Sequence, residues 1–575
     1  MTKWMRDLSW GVSFTVVFTF LALGITACGG SSGGGSSSSG GSSSGSGSTT
    51  VLSISPQDNE LYVSPDTTIS ITVDRDISSV VLNGSEFNIE ANGNRVDGVV
   101  TKNTATNTFE FTPANPLELA GKYNVVINNL AGITSYNWSF TIREGIWTGP
   151  ELVAQEGYDL NSDVSHDGTG FATWDSTRHA DMQAYANVYT PGVGWGLPHR
   201  LYIHPTLSTC PVVDPSSCYY TGSTRVKAGS NGKAIVLFVS YEIDSSGNEA
   251  IRNLMASTYS PDAGWSSAVR LNTNKTVGGA SAYTLSLTWD PDGNRALITW
   301  IEVGSGGQYI RKAALYDSTQ GFSVSDIYVT TTPASADHYI EGAIFSNGDA
   351  LAVWHESGVI RESRYNNGVW QASQVINTGP GVITNTLIRV ASNADSARII
   401  YPSRDAVTNE NSLWSMKYTV DGGWGIPESI ETTLSDTLGA TLPSICMNSS
   451  GQAVAVWNVY GGIVGDVWGN TFNPGTGWGT EQKIENITAT GALNGYHNCY
   501  ITEHGNFGAI WMERNAANNG NLSSRVTLGS IDDGWGIPVK IHDDTSYRIG
   551  ASKSRQMMVI YNAPITASVY SYRYE

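Results

Sequence analysis

The sequence predicts an all-β protein in which a small β-sandwich is followed by a β-propeller of repeated four-stranded sheets. Short runs of β-branched and aromatic residues, separated by Gly-containing turns, fill the chain after residue 51. A pair of aromatic signals then recurs eight times after residue 144. A charged fraction of 14%, with 63 Gly and 18 Trp, is typical of an extracytoplasmic all-β protein. We therefore divide the chain into residues 1–27, 28–50, 51–143 and 144–575.

Residues 1–27 have the pattern of an export signal peptide. Lys3 and Arg6 precede a largely apolar stretch from Val12 to Ile25. The segment ends in Leu23-Gly24-Ile25-Thr26-Ala27-Cys28, which resembles the lipobox of bacterial lipoproteins. The resemblance implies that Cys28 carries the lipid and becomes the mature N-terminus. The alternative is ordinary cleavage that leaves Cys28 as a free thiol.

The residues after the lipobox bear on localisation. Cys28 is followed by Gly29 and Gly30 rather than by an Asp. In the lipoprotein family this implies sorting to the outer membrane. The implied location is the bacterial cell envelope, with the protein facing the periplasm or the cell surface. Residues 29–50 are almost wholly Gly and Ser and predict a flexible tether with a reach of about 25 Å. No later segment is long and apolar enough to span a bilayer.

Residues 51–143 predict a small β-sandwich, because short runs such as Ile69–Val73 and Tyr123–Ile127 alternate like strands. The segment resembles the bacterial Ig-like domain of surface-layer and other exported proteins. The residues that carry the resemblance are Ser55-Pro56-Gln57-Asp58-Asn59, Phe109-Glu110-Phe111-Thr112-Pro113, Pro116-Leu117, Tyr123 and Trp138-Ser139-Phe140-Thr141-Ile142. The resemblance implies a spacer or adhesion module without catalytic residues.

Residues 144–575 carry the repeat that predicts the propeller. Each repeat begins with a small Gly turn and a strand that ends in an aromatic residue, at Trp174, Phe238, Trp300, Trp354, Tyr401, Trp457, Trp511 and Tyr561. A second aromatic residue opens an outer strand, at Trp147, Trp195, Trp265, Phe322, Trp370, Trp424, Trp478 and Trp535. Three of these outer strands read Gly-Trp-Gly-x-Pro, and Pro is tolerated mainly at a sheet edge.

The two ends of this region predict how the ring closes. Trp147 opens an outer strand before any complete repeat, whereas the repeat of Tyr561 ends without its own outer strand. We therefore expect the strand near 146–153 to complete the last sheet, which gives eight blades. Seven blades remain the alternative if one repeat, at Phe238 or Tyr401, is irregular.

Four cysteines follow Cys28 in a compartment that permits disulfides. Cys210 and Cys218 bracket a short loop and are candidates for a local bridge. Cys446 lies eleven residues before Trp457, and Cys499 lies twelve before Trp511. This difference of one residue places the two thiols on opposite sheet faces, as a bridge between adjacent blades requires.

Composition and spacing exclude several kinds of partner. A formal net charge of -19 argues against nucleic acid, whose phosphates the chain would repel. No Cys or His spacing of the metal-binding type appears, and Asp290-Pro291-Asp292-Gly293 lacks the further ligands of a calcium loop, so we expect a turn there. The sequence predicts neither a metal nor a cofactor.

Candidate ligand or acid–base residues are the carboxylates two positions beyond the repeated aromatic residue: Glu302, Glu356 and Glu513. Paired carboxylates can cleave glycosidic bonds, although an ordinary strand end that meets water explains the same pattern. The repeated Trp residues suit blade packing, whereas Trp289, Trp414 and Trp468 lie outside the repeated positions.

The longest insertions lie in loops at one end of the repeats, so we place ligand recognition there: His204 to Tyr219, Glu242 to Glu249, Asp405 to Asn411 and Arg514 to Asn521. Sialidases are propellers of related appearance. The chain lacks their Arg-Ile-Pro motif, and Ser165-His166-Asp167-Gly168 matches their Asp box only in part.

The sequence therefore favours a membrane-anchored extracytoplasmic binding or scaffold protein that recognises a glycan, an envelope component or a protein through the loop-rich side of the propeller. A carbohydrate-active enzyme, either a glycosidase or a lyase, is the alternative, and a purely structural role in envelope assembly is a third possibility. The sequence names no catalytic residue.

Overall fold

The computed structural model of this protein describes most of the chain from residue 49 onward. The described residues are 49–91, 94–176, 183–203, 219–243, 249–272, 285–303, 309–329, 339–379, 387–404, 411–431, 440–460, 465–485, 493–514, 522–543, 547–551, 556–562 and 567–575. Every regular element in these ranges is a β-strand, and they contain no helix. The all-β prediction is confirmed.

Two sheets form the sandwich that precedes the repeats. One sheet has the order β1 (Val51–Ser55), β3 (Ile69–Val73), β7 (Thr108–Pro113), β6 (Gly98–Asn103). The other has the order β2 (Glu60–Val63), β9 (Ile133–Ile142), β8 (Lys122–Leu130), β4 (Phe87–Ala91), β5 (Asn94–Arg95). Alternate residues of these strands are buried, as period-2 patterning requires. Phe87, Phe111 and Trp138 pack at the centre of their shared core.

The rest of the described chain forms eight antiparallel sheets, which we number 1 to 8. Sheet 1 contains β11 (Tyr158–Val164), β12 (Gly170–Asp175), β13 (Ala184–Thr190), β14 (Gly194–Trp195) and β15 (His199–Arg200), and sheet 2 contains β16 (Tyr219–Ala228), β17 (Ala234–Ile243), β18 (Glu249–Ser260), β19 (Gly264–Trp265) and β20 (Val269–Arg270). Sheet 3 contains β21 (Ser286–Trp289), β22 (Arg295–Val303), β23 (Tyr309–Asp317) and β24 (Gly321–Val329), and sheet 4 contains β25 (Ile340–Ile344), β26 (Ala350–Glu356), β27 (Val359–Asn366), β28 (Val369–Trp370) and β29 (Gln374–Val375).

Sheet 5 contains β30 (Arg389–Ser392), β31 (Ser396–Arg404), β32 (Asn411–Thr419), β33 (Gly423–Trp424) and β34 (Glu428–Ser429), and sheet 6 contains β35 (Ala440–Met447), β36 (Ala453–Tyr460), β37 (Gly465–Asn473), β38 (Gly477–Trp478) and β39 (Gln482–Lys483). Sheet 7 contains β40 (Leu493–Ile501), β41 (Asn506–Arg514), β42 (Leu522–Ser530), β43 (Gly534–Trp535) and β44 (Val539–Asp543), and sheet 8 contains β45 (Tyr547–Ala551), β46 (Met557–Asn562) and β47 (Val569–Tyr574) together with β10 (Trp147–Ala154). Within each sheet the strands follow one another in chain order, except that β10 joins the edge of sheet 8.

The outer strand is where the structure adds detail that the repeat alone does not predict. In six of the eight sheets it consists of two short pieces that pair with the same third strand, for example β14 and β15 with β13. In sheets 1, 5 and 7 a Pro lies between the two pieces. Because Pro cannot donate to the ladder, pairing is interrupted there.

The repeated aromatic residues build the interior of these sheets. The first set is almost completely buried: Trp174, Phe238, Trp300, Trp354, Tyr401, Trp457, Trp511 and Tyr561. The second set pairs across strands with a third-strand aromatic residue, as in Tyr189–Trp195, Tyr259–Trp265 and Tyr418–Trp424. In sheet 7 the residue opposite Trp535 is Gly529, and a Cβ there would lie 2.7 Å from the ring of Phe507, which packs on Trp535 instead. These residues therefore belong to the scaffold.

The first strands of successive sheets lie side by side, from β11 through β16, β21, β25, β30, β35 and β40 to β45, and β45 also contacts β11. The turns between first and second strands bond to one another, since Ser165 Oγ donates to Gly229 O (2.8 Å) and Ser230 Oγ to Pro291 O (3.3 Å). We call the side with these turns the hairpin face. The opposite side, where second strands end, is the loop face.

Sheet 8 is assembled from both ends of the repeat region. β10 pairs antiparallel with β47, with Trp147 opposite Tyr574. This pair matches the aromatic pairs of the other sheets. Sheet 8 also contacts sheet 1: Trp195 Nε1 donates to Ser571 Oγ (2.9 Å), and the guanidinium carbon of Arg573 lies 3.9 Å from the ring centroid of Tyr189.

Candidate functional site

A cavity of about 530 Å³ lies between the first strands of sheets 1 to 7. We call it the channel. Residues from all seven strands line it: Asn161, Arg225, Ser286, Glu341, Arg389, Ser444 and Asn498 are among them. This volume lies in the range of small-ligand sites, and the lining is polar.

The carboxylate of Glu341 has two side-chain partners in the channel. Arg389 Nη1 lies 3.0 Å from Glu341 Oε1, and Ser286 Oγ donates to Glu341 Oε2 at 2.9 Å. The three residues come from the first strands of sheets 3, 4 and 5, at the ends nearest the loop face. Glu341 and Arg389 keep 21% and 30% of their side-chain surface exposed. They can therefore still present an acceptor and donors to a ligand in the channel.

His497, in the first strand of sheet 7, is a neutral imidazole. Burial, followed by the positive charge of Arg389, lowers the pKa of His497 to about 3. Both ring nitrogens are buried, and neither has a hydrogen-bond partner among the described residues. A buried polar group without a partner is costly, so this ring reduces the stability of the fold.

A second polar group lies at the loop-face end of sheets 1 and 2. Asp175 ends β12, is 7% exposed and accepts a hydrogen bond from Thr221 Oγ1 at 3.0 Å. Burial and the nearby carboxylate of Asp159 raise the pKa of Asp175 well above its ordinary value. A carboxyl that holds its proton near neutral pH can act as a general acid.

The three predicted carboxylates each have a basic partner within their own sheet. Glu302 lies 3.8 Å from Lys312 Nζ and accepts a hydrogen bond from Trp300 Nε1 at 3.0 Å. Glu356 lies 2.7 Å from Arg361 Nε, and Glu513 pairs with Arg525. The three carboxylates lie in sheets 3, 4 and 7. Their role as ligands or as an acid–base pair stays a prediction.

The ion pairs follow a rule of register. Lys312, Arg361 and Arg525 are the third-strand residues directly opposite Trp300, Trp354 and Trp511. Four of the other sheets have Tyr185, Met255, Trp414 and Trp468 at the corresponding third-strand position, and their second strands lack the Glu. The Glu is thus present where a cation stands opposite the repeated Trp. This pattern gives the carboxylates a structural role that the sequence alone does not reveal.

The sandwich packs against the hairpin face through Glu118, which is 4% exposed. Thr502 Oγ1 donates to Glu118 Oε1 at 2.7 Å, Asn506 Nδ2 bonds the same oxygen, and His504 Nδ1 lies 2.5 Å from Oε2. All three partners belong to the turn region of sheet 7. The loop face is therefore the side of the sheets opposite this contact.

A disulfide joins Cys446 and Cys499, with a Cα–Cα distance of 5.9 Å. The bridge links the first strands of sheets 6 and 7 and borders the channel. The prediction of an inter-blade bridge is confirmed.

Several predicted features lie outside the described residues. They are the signal peptide, Cys28, most of the tether, Cys210, Cys218 and most of the four long insertions. Asp290 to Gly293 form the expected turn, because Gly293 N donates to Asp290 O at 3.0 Å. Within the described ranges no group of three or more His, Cys, Asp or Glu residues could hold a metal ion. The same ranges contain no apolar helix of the length that a membrane crossing needs.

Trp289, Trp414 and Trp468, the tryptophans outside the repeat, are half-buried. Trp289 lines the channel and donates through Nε1 to Lys227 O at 3.0 Å. Sequence reasoning missed the channel residues Ser286, Glu341 and Arg389 as well as His497. The available signal was their position near the start of first strands, where residues of different repeats come together.

Comparisons with known proteins identify one part of the chain. Residues 46–142 match the model of the Bacterial Ig-like domain family, which agrees with the sandwich described above. Among curated proteins, no sequence matches the chain.

Solved propeller structures are similar to the chain at 10% sequence identity. An ulvan lyase from a polysaccharide lyase family, bound to -[GlcA(1-4)Rha3S]-, gives a TM-score of 0.42 over 74% of this chain and 95% of its own. The β-propeller domain of the Trilobed protease from Pyrococcus furiosus gives 0.35 over 69% and 97%. An α-L-arabinanase from Penicillium chrysogenum gives 0.34 over 61% and 92%. With TM-scores below 0.5, these likenesses carry no weight for the activity of this chain. The family match and the side-by-side arrangement of the sheets together describe a bacterial Ig-like domain followed by a β-propeller-like array of sheets.

Proposed function

We propose that this protein is an extracytoplasmic binding protein that takes a hydroxyl-rich ligand, such as a glycan, into the channel from the loop face. The observation that carries the proposal is the polar cluster of Ser286, Glu341 and Arg389 in a cavity of about 530 Å³. A carboxylate and a guanidinium side by side offer acceptors and donors for adjacent sugar hydroxyls.

The geometry of the sheets supports entry from the loop face. The Ig-like domain occupies part of the hairpin face through Glu118, whereas the ends of the first strands with Glu341 and Arg389 lie toward the opposite face. The proposed architecture is an eight-bladed ring that β10 closes against β47. It is supported by the contact of β45 with β11 and by the Trp147–Tyr574 pair.

A glycan array tests the binding proposal. Wild-type protein is compared with Glu341→Gln and with Glu110→Gln, a control in β7 of the Ig-like domain. The proposal expects defined array signals for the wild type and the control, and their loss in Glu341→Gln. Equal signals for all three proteins would show that the channel is not the binding site.

A carbohydrate-active enzyme is the second candidate, favoured by Asp175. Its carboxyl lies beside Thr221 and Asp159, and its pKa is raised above the ordinary value of an Asp, so it holds its proton to a higher pH. In such an enzyme Asp175 would protonate the oxygen of the leaving group. The test is to incubate the array-positive glycans with the protein and to search for shorter products by mass spectrometry. Products made by the wild type and lost in Asp175→Asn would establish the enzyme, and their absence would leave the binding role.

The lipid anchor at Cys28 and the outer membrane location also stay proposals. They rest on the lipobox-like segment Leu23–Cys28 alone. Detergent-phase partitioning of the wild type, lost in Cys28→Ala, is the expected result. Partitioning that persists in Cys28→Ala would refute the anchor.

A further inference from the structure

We propose that the Ig-like domain closes the hairpin-face end of the channel and that the side chain of Glu118 holds it closed. This role differs from that of a spacer, which would need no fixed contact with the sheets. It does not depend on the identity of the ligand, because it concerns access to the channel. Three groups of observations carry it.

The first observation is the chemistry of the contact. The carboxylate of Glu118 is buried, and its two oxygens meet Thr502, His504 and Asn506 of sheet 7. A buried carboxylate is stable only with such partners, since its desolvation is costly. The contact therefore specifies one position of this loop of the Ig-like domain against the turn.

The second observation is that apolar and aromatic packing surrounds the carboxylate. Leu119, the next residue, is 3% exposed and belongs to a cluster with Tyr500 and Tyr574 of sheets 7 and 8. The ring of Tyr123, in β8 of the Ig-like domain, meets His504 edge-on with a centroid distance of 5.3 Å. Burial of these side chains adds to the energy that holds the domain on the hairpin face.

The third observation is a cavity of about 350 Å³, partly open to solvent, between the Ig-like domain and the turns of sheets 1, 6 and 7. Arg95, Asp97 and Tyr123 line it on one side, and His166, Ser449 and His504 on the other. His166 also lines the channel. The space beneath the Ig-like domain thus shares His166 with the hairpin-face end of the channel, so the domain lies beside the route by which a molecule would enter the channel from this side.

The reactivity of His166 reports on this closure, because an opened hairpin-face end adds a second route to the one through the loop face. The full-length protein is treated with diethylpyrocarbonate, which acylates accessible imidazoles, and the rate at each histidine is followed by mass spectrometry. Glu118→Ala removes charged hydrogen bonds, so we expect the acylation rate of His166 to rise by roughly tenfold. Glu118→Gln keeps one acceptor oxygen and should give a smaller rise. His199, which is exposed on sheet 1, is the internal reference and should not change.

Two further variants make the result decisive. Glu110→Ala, in β7 of the same domain, is the matched control and should leave the rate at His166 unchanged. His504→Ala removes the partner of Glu118 on the sheet side and should raise the acylation rate at His166 as Glu118→Ala does. If Glu118→Ala loses its near-ultraviolet circular dichroism and is therefore not folded, His504→Ala provides the test. An unchanged rate at His166 in the folded variants would overturn the proposal, because it would mean that the contact does not control access.

Discussion

At the scale of the residue, the carboxylates two positions beyond the repeated Trp are explained by what stands opposite that Trp. Glu302, Glu356 and Glu513 pair with Lys312, Arg361 and Arg525 of their own sheets, and Glu356 also lies 3.9 Å from Arg311 Nη1 of sheet 3. The Glu302–Lys312 pair is the most buried, with side-chain exposures of 0% and 4%. Lys312 also pairs with Asp326, whose side chain is 57% exposed, so removal of Glu302 leaves the buried Lys312 with only a partner at the surface.

Glu302→Gln should therefore lower the free energy of unfolding by about 3 kcal/mol. Replacement of both partners, in Glu302→Gln with Lys312→Met, should recover most of the loss, because no buried charge is left without its counter-ion. Urea denaturation, monitored by tryptophan fluorescence, measures the free energy of unfolding of both variants. A double variant no more stable than the single one would contradict the structural role of the pair.

His497 gives a prediction of pH dependence. Its folded pKa of about 3 lies below the ordinary value, so the unfolded chain binds a proton that the folded chain does not. This residue should therefore reduce stability as the pH falls below about 6.5, by about 1.4 kcal/mol per pH unit, until the pH reaches the folded pKa. His497→Asn should flatten the stability profile in this window. An imidazole of His497 that titrates near pH 6 in an NMR experiment would refute the assignment.

At the scale of the element, the sequence patterns predict strands and faces well. Because side chains alternate along a strand, the spacing of a residue from a known one predicts the sheet face on which it lies. The spacings from Cys446 to Trp457 and from Cys499 to Trp511 differ by one residue, so the two thiols lie on opposite faces and meet between neighbouring sheets. The divided outer strand is less predictable, because its interruption depends on which donors the neighbouring strand leaves free. Pro198 marks the interruption in sheet 1, but sheets 2, 4 and 6 divide without a Pro between the pieces.

The disulfide tests the packing of two neighbouring sheets. It closes a loop with a sequence separation of 53 residues. Cys446→Ser with Cys499→Ser should lower the free energy of unfolding by about 4 kcal/mol on the chain-entropy model. The measurement is guanidinium denaturation of the variant against the oxidised wild type. A reduced wild type should match the variant, and an oxidised wild type of equal stability would contradict the bridge.

At the scale of the whole molecule, the proposed ring depends on its two ends. Trp147 and Tyr574 form the same cross-strand pair as Trp424 and Tyr418 within sheet 5. If β10 closes the ring, Trp147→Ala should cost about as much stability as Trp424→Ala, about 2–3 kcal/mol for a large half-buried side chain. Thermal and urea unfolding of both variants give the comparison. A cost well below 1 kcal/mol for Trp147→Ala alone would indicate an open ring.

The site is a property of the whole molecule, and this is why the sequence did not predict it. Ser286, Glu341 and Arg389 are separated by 55 and 48 residues along the chain, and each is an ordinary polar residue near the start of a strand. Only the side-by-side arrangement of first strands brings them into one channel. The carboxylates that the sequence did single out lie instead in second strands, where each pairs with a cation of its own third strand.

Calorimetric titration of the channel is the most direct test of the account. The saccharide that gives the strongest array signal is titrated into the wild type, Arg389→Ala and Arg270→Ala, a variant of an exposed arginine in β20 of sheet 2. The account predicts one site per chain, unchanged affinity in Arg270→Ala and at least tenfold weaker binding in Arg389→Ala, since a hydrogen bond to a charged group contributes about 1.5–3 kcal/mol. Equal affinity for the wild type and Arg389→Ala would contradict a ligand site in the channel.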